Sequence, residues 1–171
     1  MIYKNKLIVL SFVLTFMVFY GCKQDETQSL VRANFSVQYP VFFDLDESGE
    51  ANTIFALKTK KEQNSASSFI ENVNLIEDKT NYKSYEQYFN NAEKQIENIA
   101  KIIEKKRFVV DGDNCLRLVF QISQESANYT FIQQFYAHKQ KYYILTFSSD
   151  SVEFDDYSKS IEKVFNSFKL K

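Results

Sequence analysis

The chain has no tryptophan, one proline, three glycines, one histidine and two cysteines among 171 residues. Each shortage excludes a class of chemistry. A single histidine, His138, cannot build a His-based zinc site without further His or Cys ligands, and the nearest candidate, Cys115, falls in a different predicted strand. No G-x-S-x-G elbow occurs, so the strand-to-helix nucleophile turn of an α/β-hydrolase is missing. The formal net charge is −1 and the acidic residues outnumber the basic ones, which speaks against a nucleic-acid binder with its concentrated basic face. The one dense basic cluster, Lys101, Lys105, Lys106 and Arg107, is broken by Glu104 and reads as a solvated strand or helix end. After residue 21 there is no long apolar run.

Before that point there is one. Lys4 and Lys6 precede the uncharged run "LIVLSFVLTFMVFYG", Leu7 to Gly21. That run is shorter than the ~20 residues of a transmembrane helix and fits the apolar region of an export signal. The flank Lys23-Gln24-Asp25-Glu26 is net acidic, where a stop-transfer anchor would be basic. Gly21 before Cys22 resembles a bacterial lipobox, in which the chain is cut before a cysteine that receives diacylglycerol. Phe19 and Tyr20 depart from the usual aliphatic and small residues, a looseness found in lipoproteins of some Gram-negative lineages. An uncleaved anchor is the alternative. The acid-rich flank also resembles the tag that sends lipoproteins to the outer leaflet of the outer membrane. The expectation is a signal at 1–21, lipidation (palmitate included) at Cys22, a tether over 22–34, and a domain over 35–171. Two or more acyl chains hold a protein stably on a bilayer, whereas one binds reversibly.

With Cys22 acylated, Cys115 is left without an intramolecular partner. It lies in the apolar run "CLRLVF" and reads as a buried small hydrophobe. The chain has other means of holding itself together. It carries 17 Phe and 11 Tyr, each able to bury ~150–250 Å².

Alternation marks strands in "FSVQYP" (Phe35 to Pro40), "NTIFALKTKK" (Asn52 to Lys61) and "ENVNLIED" (Glu71 to Asp78). In the last, Val73, Leu75 and Glu77 share one face. Ser84 with Gln87 fits a capping box, and Tyr85, Tyr88, Phe89, Ala92, Ile96 and Ile99 follow at helical spacing. Four strands come next, joined by the polar turns "DGDN", "QESAN" and "HKQ", the last of which places His138 in an exposed turn. A second helix is expected from Val152, capped near Asp150 and striped by Phe154, Tyr157, Ile161, Val164, Phe165 and Phe168. The fold class is α+β, an antiparallel sheet flanked by helices.

This ordered set resembles the PsbP-like superfamily, which includes bacterial lipoproteins and secreted proteins. "FSVQYP", "ENVNLIED", "DGDNCLRLVF", "QQFYAHKQKYYILTFSS" and "FDDYSKSIEKVFNSFKL" carry the resemblance, from Phe35 to Leu170. It implies an α/β/α sandwich and accessory, binding or assembly roles, with no shared catalytic residues. The missing tryptophan departs from many relatives.

Three further stretches could hold a site. "DLDESGEANTIF" matches the first half of a calcium loop at Asp44, Asp46, Ser48 and Gly49, with Asn52 at the ninth position. Phe55 stands where a bidentate Glu is required, so an acidic turn is expected. Tyr129, Tyr136, Tyr142 and Tyr143 crowd the last hairpin, where they pack as core or line an apolar groove. "DSV" (Asp150 to Val152) resembles a short bacterial O-glycosylation sequon, and a helix cap explains it equally well. The sequence thus favours a non-enzymatic, membrane-anchored accessory or scaffold factor for a cell-envelope complex, with no cofactor or metal. The alternative is a carrier or sensor for a small apolar ligand held between sheet and helix.

Overall fold

The computed structural model describes residues 26–60, 68–124 and 127–171. The expected export signal and Cys22 lie outside the described residues. The elements are β1 (Thr27–Val31), β2 (Phe35–Pro40), β3 (Phe43–Asp46), β4 (Thr53–Thr59), β5 (Asn72–Asp78), α1 (Tyr85–Glu97), β6 (Lys101–Val110), β7 (Asp113–Gln124), β8 (Ala127–His138), β9 (Lys141–Asp150), α2 (Phe154–Ser167) and β10 (Lys169–Leu170).

Seven strands form one antiparallel sheet in the order β3-β4-β5-β9-β8-β7-β6, and β1-β2-β10 form a smaller one. Strand side chains alternate between faces, so adjacent residues of one strand serve different cores. On one face α1 packs Tyr88, Phe89, Ala92 and Ile96 against Leu116, Leu118, Phe120, Phe135 and Tyr142. On the other, α2 and the small sheet pack Ile161, Val164, Phe165, Phe35 and Val37 against Leu57, Leu75, Leu145 and Phe147. The result is the expected α+β sandwich, helix over sheet over helix.

Local chemistry explains the boundaries. The Ser84 hydroxyl accepts from the Gln87 amide at 3.2 Å and caps α1, satisfying a donor that the first turn leaves orphaned. The β6–β7 hairpin turns on Asp111 and Gly112, both at positive φ, the twist that two-residue hairpins need. α2 begins later than expected, at Phe154. Asp150 ends β9 instead, and its carboxylate accepts from the Val152 amide across the β9–α2 turn.

The expected tether of residues 22–34 needs a correction, because Thr27–Val31 is a strand. β1 pairs with β2 from Thr27 opposite Pro40 to Val31 opposite Ser36. Only Leu30 of its five residues is buried, so its order comes from the ladder and not from its own pattern.

Candidate functional site

β6 is the edge of the large sheet, ten residues long, and among the described residues no strand neighbours its outer side. A bulge between Ile102 and Glu104 leaves Ile103 outside the register, and Ile103 and Val109 are 54% and 63% exposed. The basic cluster of the sequence is here, partly engaged. Arg107 donates to Glu93 at 2.7 Å and Lys105 at 3.1 Å, tying the strand to α1. Burial alone would raise the Glu93 carboxyl, but the hydrogen bonds from Arg107 and Lys105 outweigh it and hold its pKa below the usual carboxylate value.

Behind β6, a groove of about 270 Å³ runs toward α2, lined by Lys106, Phe108, Val110, Arg117, Gln134 and Phe165 among others. Arg117 spans it. Its guanidinium pairs with Glu162 of α2 and lies 5.2 Å from the Phe165 ring centre. A second cleft, about 230 Å³, opens between α1 and the sheet. Its lining mixes Tyr82, Tyr88 and Phe135 with Asp78, Asn91 and Gln133. The Tyr88 hydroxyl donates to Asp78 at 3.0 Å, and burial, with Asp78 close by, pushes that phenol well above its ordinary range.

The tyrosines of the last hairpin do not line one groove. Tyr136 and Tyr143 are paired across β8 and β9 and lie in the α2-side core. Tyr142, one residue from Tyr143, faces the other way and stacks on Tyr88 at 4.1 Å. Tyr129 packs against Phe69 at the far end of β8. Strand alternation separates what the sequence places side by side.

His138 is also corrected. It ends β8, and its side chain is only 12% exposed. Nδ1 donates to Asp113 at 2.8 Å, and Nε2 lies 3.1 Å from the Lys171 carbonyl oxygen. The pair fastens the segment after β10 to the β6–β7 hairpin. Asp113 and Lys171 are distant in sequence, so no local signal announced them.

The calcium-like loop is a β3–β4 turn. Asp44 pairs with Lys60 at 3.2 Å, and Asp46 with Lys58 at 2.8 Å. The Lys58 hydrogen bond, followed by those from Ser48, holds the Asp46 carboxyl far below its usual range. Among the described residues no three His, Cys, Asp or Glu side chains gather as metal ligands. Cys115 is 1% exposed, and burial, with Asp113 nearby, pushes its thiol up to about 12. In the β9–α2 turn the Ser151 hydroxyl meets the Thr130 hydroxyl at 2.7 Å, while Val152 is 89% exposed.

The helix-flanked antiparallel sheet is a PsbP-like fold, as its likeness to a solved PsbP shows. No protein-family model matches the sequence, and no curated protein sequence does either. Solved structures do match in shape. LpqN, involved in cell envelope biogenesis of Mycobacterium tuberculosis, aligns with TM-score 0.62 and 12% identity over 87% of each chain. The cyanobacterial PsbP of Synechocystis aligns with TM-score 0.61 and 12% identity, over 88% of this chain and 96% of its own. A Pseudomonas aeruginosa protein of unknown function aligns with TM-score 0.57 and 10% identity, over 82% of this chain and 94% of its own. At such identities the likeness is one of fold.

Proposed function

We propose that this chain is a non-enzymatic lipoprotein, anchored through Cys22 in the outer membrane, that acts as an accessory or scaffold factor for a cell-envelope protein complex. The observation that carries the reading is β6. A ten-residue edge strand offers a row of backbone donors and acceptors, a ready template for a strand from another chain. Ile103 and Val109 supply exposed apolar contacts on it, and the groove toward α2 gives an incoming side chain a place to lie. Lys105 and Arg107, the charges that would otherwise guard the edge, are drawn toward Glu93.

Two structural neighbours support the reading by analogy only: one is described as involved in envelope biogenesis, and the other is a PsbP. The carrier alternative has less support. The cleft between sheet and α1 holds about 230 Å³ and is lined by amides and a carboxylate as well as rings. Drug-sized apolar ligands occupy larger and more apolar pockets, roughly 300–1,000 Å³.

Cross-linking and co-purification from membranes, with lipid mass spectrometry on the same sample, tests the proposal. The wild type is expected to bring down an envelope protein that the exposed-edge variant Ile103→Lys/Val109→Lys loses while staying on the membrane. Cys22→Ala is expected to abolish palmitate incorporation. A monomer with neither protein nor lipid attached overturns both readings.

A further inference from the structure

The two ends of the large sheet differ in a way that the fold makes visible. The strand registers place the β2–β3 turn, the start of β5, the α1–β6 connection, the β9–α2 turn and the start of β1 at one end. Among the described residues, the exposed large apolar side chains that lie in connections are Val41, Ile70, Ile99 and Val152, at 39%, 47%, 68% and 89% exposure. All four are at that end. Ion pairs concentrate at the opposite end, Arg32 with Glu47, Lys169 with Asp111 and Lys141 with Glu77, against Asp44 with Lys60 at the first. Val31 and Val109 are exposed at that opposite end too, but within strands, so the exposed aliphatic tips carried on connections are those of the first end. Such a set of tips marks a surface that something covers.

The N-terminal segment says what covers it. The Glu26 carbonyl accepts from the Val41 amide at 3.0 Å, so the chain reaches the domain beside one of these aliphatic tips. Residues 22 to 26 can span at most about 18 Å when fully extended. The twelve residues of β8 run for roughly 40 Å. A chain held in a bilayer at residue 22 therefore keeps this end close to the lipid and holds the other end away. The first turn of α2, at the same end, carries Asp155 and Asp156, which fits neutral headgroups better than anionic ones.

We infer that the end bearing Val41, Ile99 and Val152 rests against a zwitterionic lipid surface, with the opposite end turned away from the membrane. The inference builds on the proposed anchor at Cys22. It leaves the β6 edge standing off the bilayer sideways, open to a partner.

The test uses the full lipidated chain in vesicles of phosphatidylethanolamine and phosphatidylcholine. Single cysteines replace Val41, Ile99 or Val152 at one end and Gln140 at the other, each labelled with bimane. Cys22 is acylated and Cys115 is buried, so neither takes the label. Lipids carrying a nitroxide near the headgroup are expected to quench the first three labels at least about threefold more than the Gln140 label, because interfacial side chains sink only ~5–10 Å. Equal quenching at the two ends refutes the orientation. Shielding of the Val41 and Val152 labels from both lipid nitroxide and aqueous iodide puts a protein there and also refutes it. Flotation of the same samples reads the anchor separately. Protein that floats with end-independent quenching removes the orientation alone, and protein that fails to float removes the anchor and the orientation with it.

Discussion

Replacing the Thr59–Glu71 pair by Val and Met is expected to stabilise the fold, although it deletes a hydrogen bond. Glu71 stands immediately before β5 and is 1% exposed. Its Oε2 accepts from the Thr59 hydroxyl at 3.2 Å, while its Oε1 is buried with no hydrogen-bond partner among the described residues. A buried polar atom left unmatched costs about 1–3 kcal/mol, whereas replacing both members of a pair by apolar groups of similar shape is near neutral or better. The backbone bond from the Thr59 amide to the Glu71 carbonyl, 2.9 Å, survives the change and keeps β4 and β5 in register. The double variant Thr59→Val/Glu71→Met should gain about 1–3 kcal/mol, or roughly 3–10 °C in Tm at this size. Glu71→Met alone should gain less, because the Thr59 hydroxyl, 9% exposed, is then stranded. Urea unfolding followed by tyrosine fluorescence measures the difference, with an unchanged slope showing that the same surface is released. Phe147→Ala calibrates the assay from the other direction, since removing a fully buried ring on β9 costs about 3–5 kcal/mol. A double variant less stable than wild type by about 1 kcal/mol or more would refute the reasoning and give the Glu71 carboxylate a structural duty.

Two smaller outcomes follow from the titratable groups. Glu93 has a folded-state pKa below its ordinary value of 4.5, so its contribution to stability is present above that pH and lost as pH falls through the lower, folded value. Glu93→Gln should thus destabilise at pH 7 by about 1 kcal/mol, and the gap to wild type should close in acid, as read by thermal melts across pH. A gap that widens in acid contradicts the assignment. The Cys115 thiol, pushed up to about 12, should resist maleimide in the native chain and react only on unfolding; native alkylation within minutes would mean that β7 opens.

Much of the fold was legible in the sequence because its elements carry their own patterns. "ENVNLIED" alternates, and Val73 and Leu75 are fully buried while Asn72 and Asn74 face the other way. Ser84 announced α1, and its hydroxyl makes its own half of the capping box, accepting from the Gln87 amide. The strands that went unread are those ordered from outside. β1 buries Leu30 alone, β3 buries Phe43 alone, and β10 has two residues. The candidate surface was half legible. The basic cluster at Lys105 to Arg107 could be seen, but its place on an edge strand depends on sheet order, which no local window contains. His138 misled for the same reason, since its partners are 25 and 33 residues away. Adjacent Tyr142 and Tyr143 looked like one cluster, and only the strand's alternation assigns them to separate cores.

The pairing of β10 with β2 also has a kinetic consequence. β6 to β9 are neighbours in sequence and in the sheet, so their hairpins can close quickly over short turns. β2 closes only one of its sides that way, with β1. Its second neighbour, reached through Leu170 opposite Phe35, is made near the other end of the chain. A chain threaded N-terminus first across a membrane would expose Phe35, Val37 and Tyr39 to the far side before α2 and β10 emerge to cover them. That interval, set by the order of synthesis, is when this domain would be most open to a holding chaperone or to loss.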